Sequence, residues 1–474
     1  MPFRRVRVSP DSAAIAASLA ELRESLDVSL GFPEPVLADA ERAVRSPRLP
    51  DADETEIPFV TIDPPESMDL DQALHLERRE GGYRVRYAIA DVGAFVEPGG
   101  PMDLEAHARG QTLYAPDENA RLYPPELSED AGSLLPDATR PALVWTMLVD
   151  AGGEGVDVDL RRALVRSREK LDYAGVQRSL DDGSASEPLQ LLREVGLLRQ
   201  EREEQQGGID LRIPEQEVVD GPDGYALAFR APLPVEGWNA QISLMTGQAA
   251  AELMLDAKVG LLRTLPEADP GAVGRLRRTA KALGIDWPHD VGYAALIRTL
   301  DPARPEHAAF LAESTVLLRG SGYAAFDDEV PSRPTHAGVG APYAHATAPL
   351  RRLVDRYVGE ACLAVNAGKR VPDWVRAALP QLPEQMEASN RRAQQYEAGV
   401  ISTVEAAVLG DRVGETFDAI VVELDEHDDA GGTVQLTDPA VTAHCEGELP
   451  LGERVRVRLI LADVAKRQVR FEIA

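Results

Sequence analysis

The sequence has little of three things: cysteine, long apolar runs and positive charge. Its 474 residues include two cysteines, Cys362 and Cys445, which lie far apart and form no CxxC pair. This excludes a disulfide-rich fold and a cysteine zinc centre, and it fits a reducing cytoplasm. No apolar run approaches the length that spans a bilayer, and no hydrophobic segment follows the basic start MPFRRVRV. We therefore expect a soluble cytoplasmic protein with no signal peptide and no membrane association.

Basic residues are outnumbered by acidic ones, 50 against 79, and the formal net charge is −29. Such a charge argues against a protein that coats nucleic acid over its whole surface. It does not exclude a polyanion bound in a locally basic channel, because the field inside a cleft depends on the residues that line it. The length suits two to four domains.

The patterns along the chain predict an α+β multidomain protein in three parts. Residues 1–50 show helical periodicity and predict a small helical module, for which a helix-turn-helix arrangement is one alternative. Residues 51–406 predict a mixed α/β domain, and residues 407–474 predict five short strands, which suit a small all-β barrel of the OB type. In the central part, strand signals dominate up to about residue 166. Helical periodicity dominates after it, over 168–182, 187–205, 236–264, 270–283, 290–300, 306–318, 349–366 and 373–408.

Three aspartates lie close together in the stretch TIDPPESMDLDQALHL, at Asp63, Asp69 and Asp71. The apolar run before Asp63 predicts a buried strand, and the two prolines after it predict a loop. Crowded carboxylates repel one another unless a cation neutralises them, and Mg²⁺ prefers oxygen ligands. The alternative is a chance acidic cluster, because loop aspartates also cap helices and turns. The spacing alone does not decide between the two.

Two longer blocks follow: IADVGAFVEPGGPMDLEAHARGQTLYAPDENARLYPPELSEDAGSLLPD and, much later, HAGVGAPYAHATAPLRRLVDRY. Together with the aspartate loop they resemble the RNase II family, the RNB-domain exoribonucleases, over roughly residues 55–400. The tail resembles the S-one-type OB domain that usually follows the RNB domain. The resemblance implies a monomeric, Mg²⁺-dependent 3′-to-5′ exoribonuclease, with Mn²⁺ as the alternative metal. It would degrade single-stranded RNA processively, without sequence specificity, to nucleoside 5′-monophosphates in RNA turnover.

The resemblance also assigns roles to the residues of the aspartate loop and its surroundings. Asp63, Asp69 and Asp71 match metal-binding aspartates, and we expect Asp71 to be the most sensitive position. The fourth aspartate of the family pattern is replaced by Gln72, whose amide offers an oxygen but no charge. Tyr114 matches the tyrosine that orients the scissile phosphate.

Five more positions complete the expected site. Arg351 matches an arginine that clamps phosphate, with Arg352 beside it as an RNA contact, although paired arginines at a helix start are more often surface ion-pair partners. Tyr173 matches an aromatic that stacks on the 3′-terminal bases, and its stacking partner falls at Leu211. Gln394 falls where a glutamate helps product to leave.

The remaining differences from the family pattern bear on function. His336 and His345 lie in the late block, as RNA contacts or as residues that order the loop. The roughly 50 residues before the catalytic domain leave no room for the two cold-shock domains that are common in the family. Because Gln72 and Gln394 replace acidic residues, a catalytically weakened RNA-binding or regulatory protein of the same fold is the alternative function. A third alternative function is an acidic protein-interaction scaffold, but this would not explain why the sequence blocks occur in the family order.

Overall fold

The computed structural model describes residues 13–209, 215–221, 224–230, 232–302, 304–425, 431–436 and 438–474. Ten of the described strands close into two separate five-stranded barrels, the other six form three two-stranded sheets, and helices surround the first barrel. The predicted α+β class, with an all-β barrel in the C-terminal part, is confirmed. The helices are α1 (Ala13–Ser25), α2 (Glu34–Arg45), α3 (Pro101–Arg109), α4 (Tyr173–Asp182), α5 (Glu187–Gln205), α6 (Pro234–Ala257), α7 (Pro270–Ala282), α8 (Tyr293–Arg298), α9 (Pro305–Glu313), α10 (Leu353–Asn366), α11 (Asp373–Ala378) and α12 (Leu382–Leu409). The strands are β1 (Phe59–Ile62), β2 (Gln72–Arg79), β3 (Gly82–Ala90), β4 (Thr139–Asp150), β5 (Gly155–Leu171), β6 (Glu215–Gly221), β7 (Gly224–Arg230), β8 (Val259–Thr264), β9 (Gly322–Asp327), β10 (Thr335–His336), β11 (Ala341–Pro342), β12 (Thr416–Leu424), β13 (Gly431–Leu436), β14 (Thr442–Glu446), β15 (Arg454–Asp463) and β16 (Gln468–Ile473).

The first barrel consists of β1 to β5 and carries the aspartate loop. β1 runs antiparallel to β2 and parallel to β5, and this pairing closes the sheet on itself. In β3, Tyr83, Val85 and Tyr87 are buried and alternate with partly exposed arginines, as the period of two in the sequence predicts. The strand predicted before Asp63 is β1. Residues 63–71 therefore form the connection between β1 and β2.

Two predicted helices are partly strands. The helix expected over 168–182 begins only at Tyr173, because β5 continues to Leu171, and the Asp172 side chain caps the helix by accepting from Gly175 N at 2.7 Å. The helix expected over 236–264 ends at Ala257, where Lys258 adopts a left-handed conformation with φ of 57°. The apolar run that follows is β8, which pairs with β9. Short apolar runs suit buried helix and buried strand equally, so pairing across the fold decides.

The two helices of residues 1–50 pack on different parts of the molecule. α1 buries Ile15, Leu19 and Leu22 in one hydrophobic core with α12 and the C-terminal barrel. α2 packs on α3, where the Asp39 carboxylate accepts from Met102 N at 3.2 Å. A helix-turn-helix requires two helices that pack on each other, and the described contacts of α1 and α2 lie mainly with these other elements instead.

The C-terminal barrel consists of β12 to β16 in the order β12-β13-β14-β16-β15. The prediction of five strands is confirmed. Its two aromatic residues, Phe417 and Phe471, are buried and pack edge to face with ring centroids 5.9 Å apart. Because both rings belong to the barrel core, they are not available to stack on nucleic acid. Among the described helices, none combines the length and the apolar character that crossing a bilayer demands.

Candidate active site

The loop of residues 63–71 is fixed at one end by the barrel and along its length by two side chains. Asp63 N donates to the Leu171 carbonyl at 3.1 Å, which ties the loop to the end of β5. The ammonium group of Lys170 donates to the Pro65 and Ser67 carbonyls, both at 2.6 Å. The buried Ser133 hydroxyl donates to the Met68 carbonyl at 2.6 Å and accepts from Leu70 N at 2.9 Å. The loop is therefore held in one conformation, which presents its carboxylates on a rigid frame.

Asp71 is the most buried carboxylate of the loop, with 2% of its surface exposed. Its Oδ1 accepts from Leu350 N at 2.8 Å. Its Oδ2 has no hydrogen-bond partner within the described ranges, and Arg351 Nε lies 3.1 Å from it as an ion pair. Burial raises the pKa of Asp71 to about 8, although Arg351 opposes this effect. A buried carboxylate oxygen with so little compensation is a strong site for a cation.

The other two aspartates are half-buried neighbours of the same arginine. Burial raises the pKa of Asp63 to about 6, against the opposing effect of Arg351, and repulsion from Asp69 adds to the rise. Burial also raises the pKa of Asp69. The Tyr114 hydroxyl donates to Asp69 Oδ2 at 3.3 Å, and the ring is 49% exposed. Tyr114 thus stands at the open side of the carboxylate group.

Arg351 belongs to a turn between the short strand β11 and α10. Its carbonyl accepts from Thr112 N at 3.0 Å, and its side chain is 45% exposed beside Asp71. Arg352, the next residue, is engaged differently. Its Nε and Nη2 contact the two oxygens of the buried Asp355 at 3.0 and 2.8 Å, and Asp355 also accepts from Ala348 N at 2.7 Å. The guanidinium of Arg352 is therefore occupied by Asp355 of α10, and its expected RNA contact stays a prediction.

Gln72 is the first residue of β2, next to Asp71 in the chain. Its amide nitrogen donates to the carbonyl of Thr347. Thr347 lies at the start of the turn that carries Arg351 and is 5% exposed. The position that carries an aspartate in the family pattern thus links the metal loop to the arginine turn.

Tyr173, the expected stacking residue, lies at the first position of α4. Burial raises the pKa of its hydroxyl, and the charge of Asp63 adds to the rise. Asn239 Nδ2 on α6 contacts the hydroxyl at 3.4 Å. One turn further along α6, Ser243 Oγ is 2.8 Å from the hydroxyl oxygen of the buried Tyr87. Burial raises the pKa of this hydroxyl, and the charge of Asp63 adds to the rise. α6 therefore lines the Asp63 side of the site with polar groups that no sequence motif indicated.

The other predicted positions are not brought to the aspartates by any described contact. His336 is partly buried, which lowers its pKa to about 4, and its ring lies 5.8 Å from that of Tyr343. His345 Nδ1 is 2.8 Å from the Tyr323 hydroxyl. These contacts fit residues that order the loop.

Gln394 is an exposed residue of α12, and Leu211 lies outside the described residues.

The donor set suits a divalent cation chemically. In the parts of the chain that the structure describes, no group of three or more His, Cys, Asp or Glu side chains lies in an arrangement that could hold a metal ion. However, the carboxylates of Asp63, Asp69 and Asp71 all have raised pKa values and all interact with Arg351. In addition, Asp71 Oδ2 is buried without a hydrogen-bond partner. Oxygen ligands of this kind are those that Mg²⁺ and Mn²⁺ prefer.

The barrel that carries the aspartate loop and the separate five-stranded barrel after it each match a protein-family model. The RNB domain matches residues 52–365, and the RNase II-type exonuclease C-terminal S1 domain matches residues 415–474. The chain belongs to the RNB-domain family. Ribonucleases of this family generally depend on a divalent metal.

Relatives by sequence include Ribonuclease R of Aquifex aeolicus, 27% identical over 87% of this chain and 63% of the relative. The Exosome complex exonuclease RRP44 homolog A of Arabidopsis thaliana is 29% identical over 74% of this chain and 39% of the relative. The chain therefore spans less than two thirds of the length of either of these curated relatives.

Solved structures share the fold. The apo form of Mycoplasma genitalium RNase R matches 98% of this chain and 78% of its own, with a TM-score of 0.85 and 17% identity. The same enzyme with ribose methylated single-stranded RNA matches equally well, with a TM-score of 0.85 and 17% identity over the same shares of the two chains. Yeast Ssd1, described as a pseudonuclease, matches 96% of this chain and 57% of its own, with a TM-score of 0.70 and 16% identity. At these identities the likeness establishes the fold.

Proposed function

We propose that the chain is a Mg²⁺-dependent hydrolytic exoribonuclease, with Mn²⁺ as the alternative metal, that degrades single-stranded RNA from the 3′ end. It would do so processively, without sequence specificity, to nucleoside 5′-monophosphates in RNA turnover. The observation that carries this proposal is the buried Asp71, whose Oδ2 has no hydrogen-bond partner in the described residues and forms an ion pair with Arg351 at the end of the barrel. RNA binding by the fold is supported by the M. genitalium RNase R complex with single-stranded RNA.

Each residue has a role that follows from its position. Asp63, Asp69 and Asp71 would hold the divalent cation, which lowers the pKa of water and neutralises charge on the phosphate. Arg351 is half-exposed and permanently charged, so it can contact a phosphate oxygen while remaining close to Asp71. Its guanidinium would stabilise the negative charge that develops in the transition state.

Tyr114 and Tyr173 would fix the substrate. The exposed ring of Tyr114 is anchored through its hydroxyl to Asp69, which places it where a phosphate or sugar would lie. Tyr173 would stack on a base near the 3′ end, a contact that tolerates any base. Arg352, Leu211 and His336 remain proposed RNA contacts, and Gln394 a proposed product-release residue. The C-terminal barrel of residues 407–474 would add grip on the strand through charge, because its aromatic rings are buried.

The test is a pair of RNAs of one sequence, labelled at the 5′ or the 3′ end, incubated with the protein and Mg²⁺. We expect the 3′ label to be released at once as a mononucleotide 5′-phosphate. The 5′-labelled RNA should keep its label while it shortens from its 3′ end. Single-stranded DNA of the same sequence should persist, because discrimination requires the 2′-hydroxyl. Asp71→Asn is the control that should leave the RNA intact. Equal digestion by wild type and Asp71→Asn would remove the site from the proposal.

A catalytically weakened RNA-binding protein is the second candidate function. Gln72 favours it, because the position lacks the carboxylate of the family pattern, and the fold is shared with a pseudonuclease. This candidate predicts that wild-type protein retains RNA in Mg²⁺ without shortening it. The labelled-RNA experiment therefore separates the two functions.

A further inference from the structure

The turn of residues 347–352 is the part of the site that regular secondary structure does not hold. It lies between β11 and α10, and it carries Arg351 on one side. Its position is therefore set by individual hydrogen bonds rather than by a helix or a strand ladder. A small displacement of this turn would move the guanidinium of Arg351 relative to Asp71.

Three side chains hold the backbone of this turn, in addition to Thr112 N, which donates to the Arg351 carbonyl at 3.0 Å. Asp355 accepts from Ala348 N at 2.7 Å, and Asp71 accepts from Leu350 N at 2.8 Å. Gln72 is the third, because its amide nitrogen donates to the Thr347 carbonyl. The two carboxylates satisfy backbone N–H groups, whereas Gln72 satisfies a carbonyl. Only a donor can fill that third place.

A carboxylate at position 72 would meet the Thr347 carbonyl oxygen as one acceptor facing another. It would also add a fourth negative group beside Asp71, in a loop that already carries Asp63 and Asp69. A neutral amide avoids both effects and supplies the donor. The residue that departs from the family pattern thus has a partner of its own in this chain.

We propose that Gln72 is a positioning residue that braces the arginine turn against β2, and that it does not act as a metal ligand. The proposal rests on the proposed function, because it assigns Arg351 to the phosphate. The hydrogen bond from Gln72 would fix the position of the Arg351 guanidinium relative to the carboxylates. Its loss would therefore weaken transition-state stabilisation more than substrate binding.

The test compares Gln72→Met and Gln72→Glu with the wild type. Methionine keeps the length of the side chain without a donor, and glutamate adds a carboxylate. The matched control is Gln190→Met, because Gln190 Nε2 also donates to a backbone carbonyl, that of Ala185 at 2.7 Å, far from the site in sequence. Melting temperatures of all variants identify any that fail to fold.

For a brace, Gln72→Met should lower kcat by about 10- to 100-fold while KM stays within about twofold, because a misplaced catalytic group impairs the transition state. Gln72→Glu should lose kcat as well, and Gln190→Met should retain it. Mn²⁺ affinity of the RNA-free protein, measured by calorimetry, should change by less than about threefold in Gln72→Met, because no ligand has been removed.

Two outcomes would overturn the proposal. A Gln72→Met protein that binds Mn²⁺ about tenfold or more weakly would identify Gln72 as a ligand. A Gln72→Glu protein that is as fast as or faster than wild type would show that this position prefers a carboxylate. If the wild type leaves RNA intact, the proposed function fails by itself. The Mn²⁺ comparison still distinguishes brace from ligand in that case.

Discussion

Replacing Asp71 by asparagine should inactivate the protein and stabilise its metal-free fold at the same time. In the folded protein the pKa of Asp71 is raised from 3.8 to about 8 by burial. At pH 7 the unfolded chain therefore gains about 4 kcal/mol from ionising this carboxyl, a gain that the folded state does not share. Asparagine keeps the acceptor for Leu350 N, but its Nδ2 group would face Arg351 Nε as one donor against another, which costs about 1–2 kcal/mol. We expect a net stabilisation of about 2–3 kcal/mol.

The sign of the pH dependence follows from the raised pKa. The stabilising protonated form of wild-type Asp71 is fully present below the unfolded value of 3.8, and its contribution is lost as pH rises towards about 8. The difference in unfolding free energy between Asp71→Asn and wild type should therefore grow as pH rises from 3.8 to about 8, and it should level off above about 8. The assay is urea unfolding in EDTA at several pH values, with Mg²⁺ added in a parallel series. Mg²⁺ should stabilise wild type more than the variant, because it binds the folded carboxylate.

Asp53→Asn is a useful control of opposite sign. Its pKa is lowered, chiefly because the carboxylate accepts from Thr55 N, so wild type should lose a small contribution as pH falls. If Asp71→Asn is less stable than wild type at pH 8 in EDTA, or if the difference does not change with pH, the account of Asp71 as a carboxyl whose burial outweighs the effect of Arg351 is wrong.

Three other predictions concern the same site. Arg351→Lys should lower kcat by about 10²–10³-fold, close to the loss in Arg351→Ala, because an ammonium lacks the planar fork; single-turnover rates near wild type would contradict this. Tyr114→Phe should cost less than about tenfold, since it loses only the bond to Asp69, whereas Tyr114→Ala should cost more; equal losses in the two variants would remove the role of the ring. Mn²⁺ affinity should fall as pH drops below about 8, where Asp71 binds a proton, and more steeply below about 6, where Asp63 also does; an affinity that does not steepen below about 6 would exclude Asp63 as a ligand.

The aspartate loop could be predicted from sequence because its determinants are local. An apolar run ends at Asp63, prolines follow, and β2 resumes at Gln72, so strand, loop and strand are written in consecutive residues. The C-terminal barrel was predictable for the same reason, since turn residues separate its five alternating strands. The family blocks added the order in which Tyr114 and Arg351 follow.

The contacts between distant segments could not be predicted in this way. Gln72 and Thr347 lie 275 positions apart, and only the fold shows that the amide at position 72 faces a carbonyl. The sequence predicts β8 as the end of α6 because its apolar residues suit either structure, and its partner β9 comes more than 50 residues later. The sequence around Arg352 also does not predict that Asp355, three residues later, binds its guanidinium.

The packing of α1 has a consequence for how the protein is made. The Ser18 hydroxyl donates to the Val464 carbonyl at 3.0 Å across 446 positions of the chain. At roughly 5–20 residues per second, a ribosome needs on the order of a minute to travel that far. During this time the apolar stripe of Ile15, Leu19 and Leu22 has no completed barrel to pack against. Nascent chains stalled before residue 464 should therefore bind a chaperone through this helix, and release should follow the emergence of the last strand.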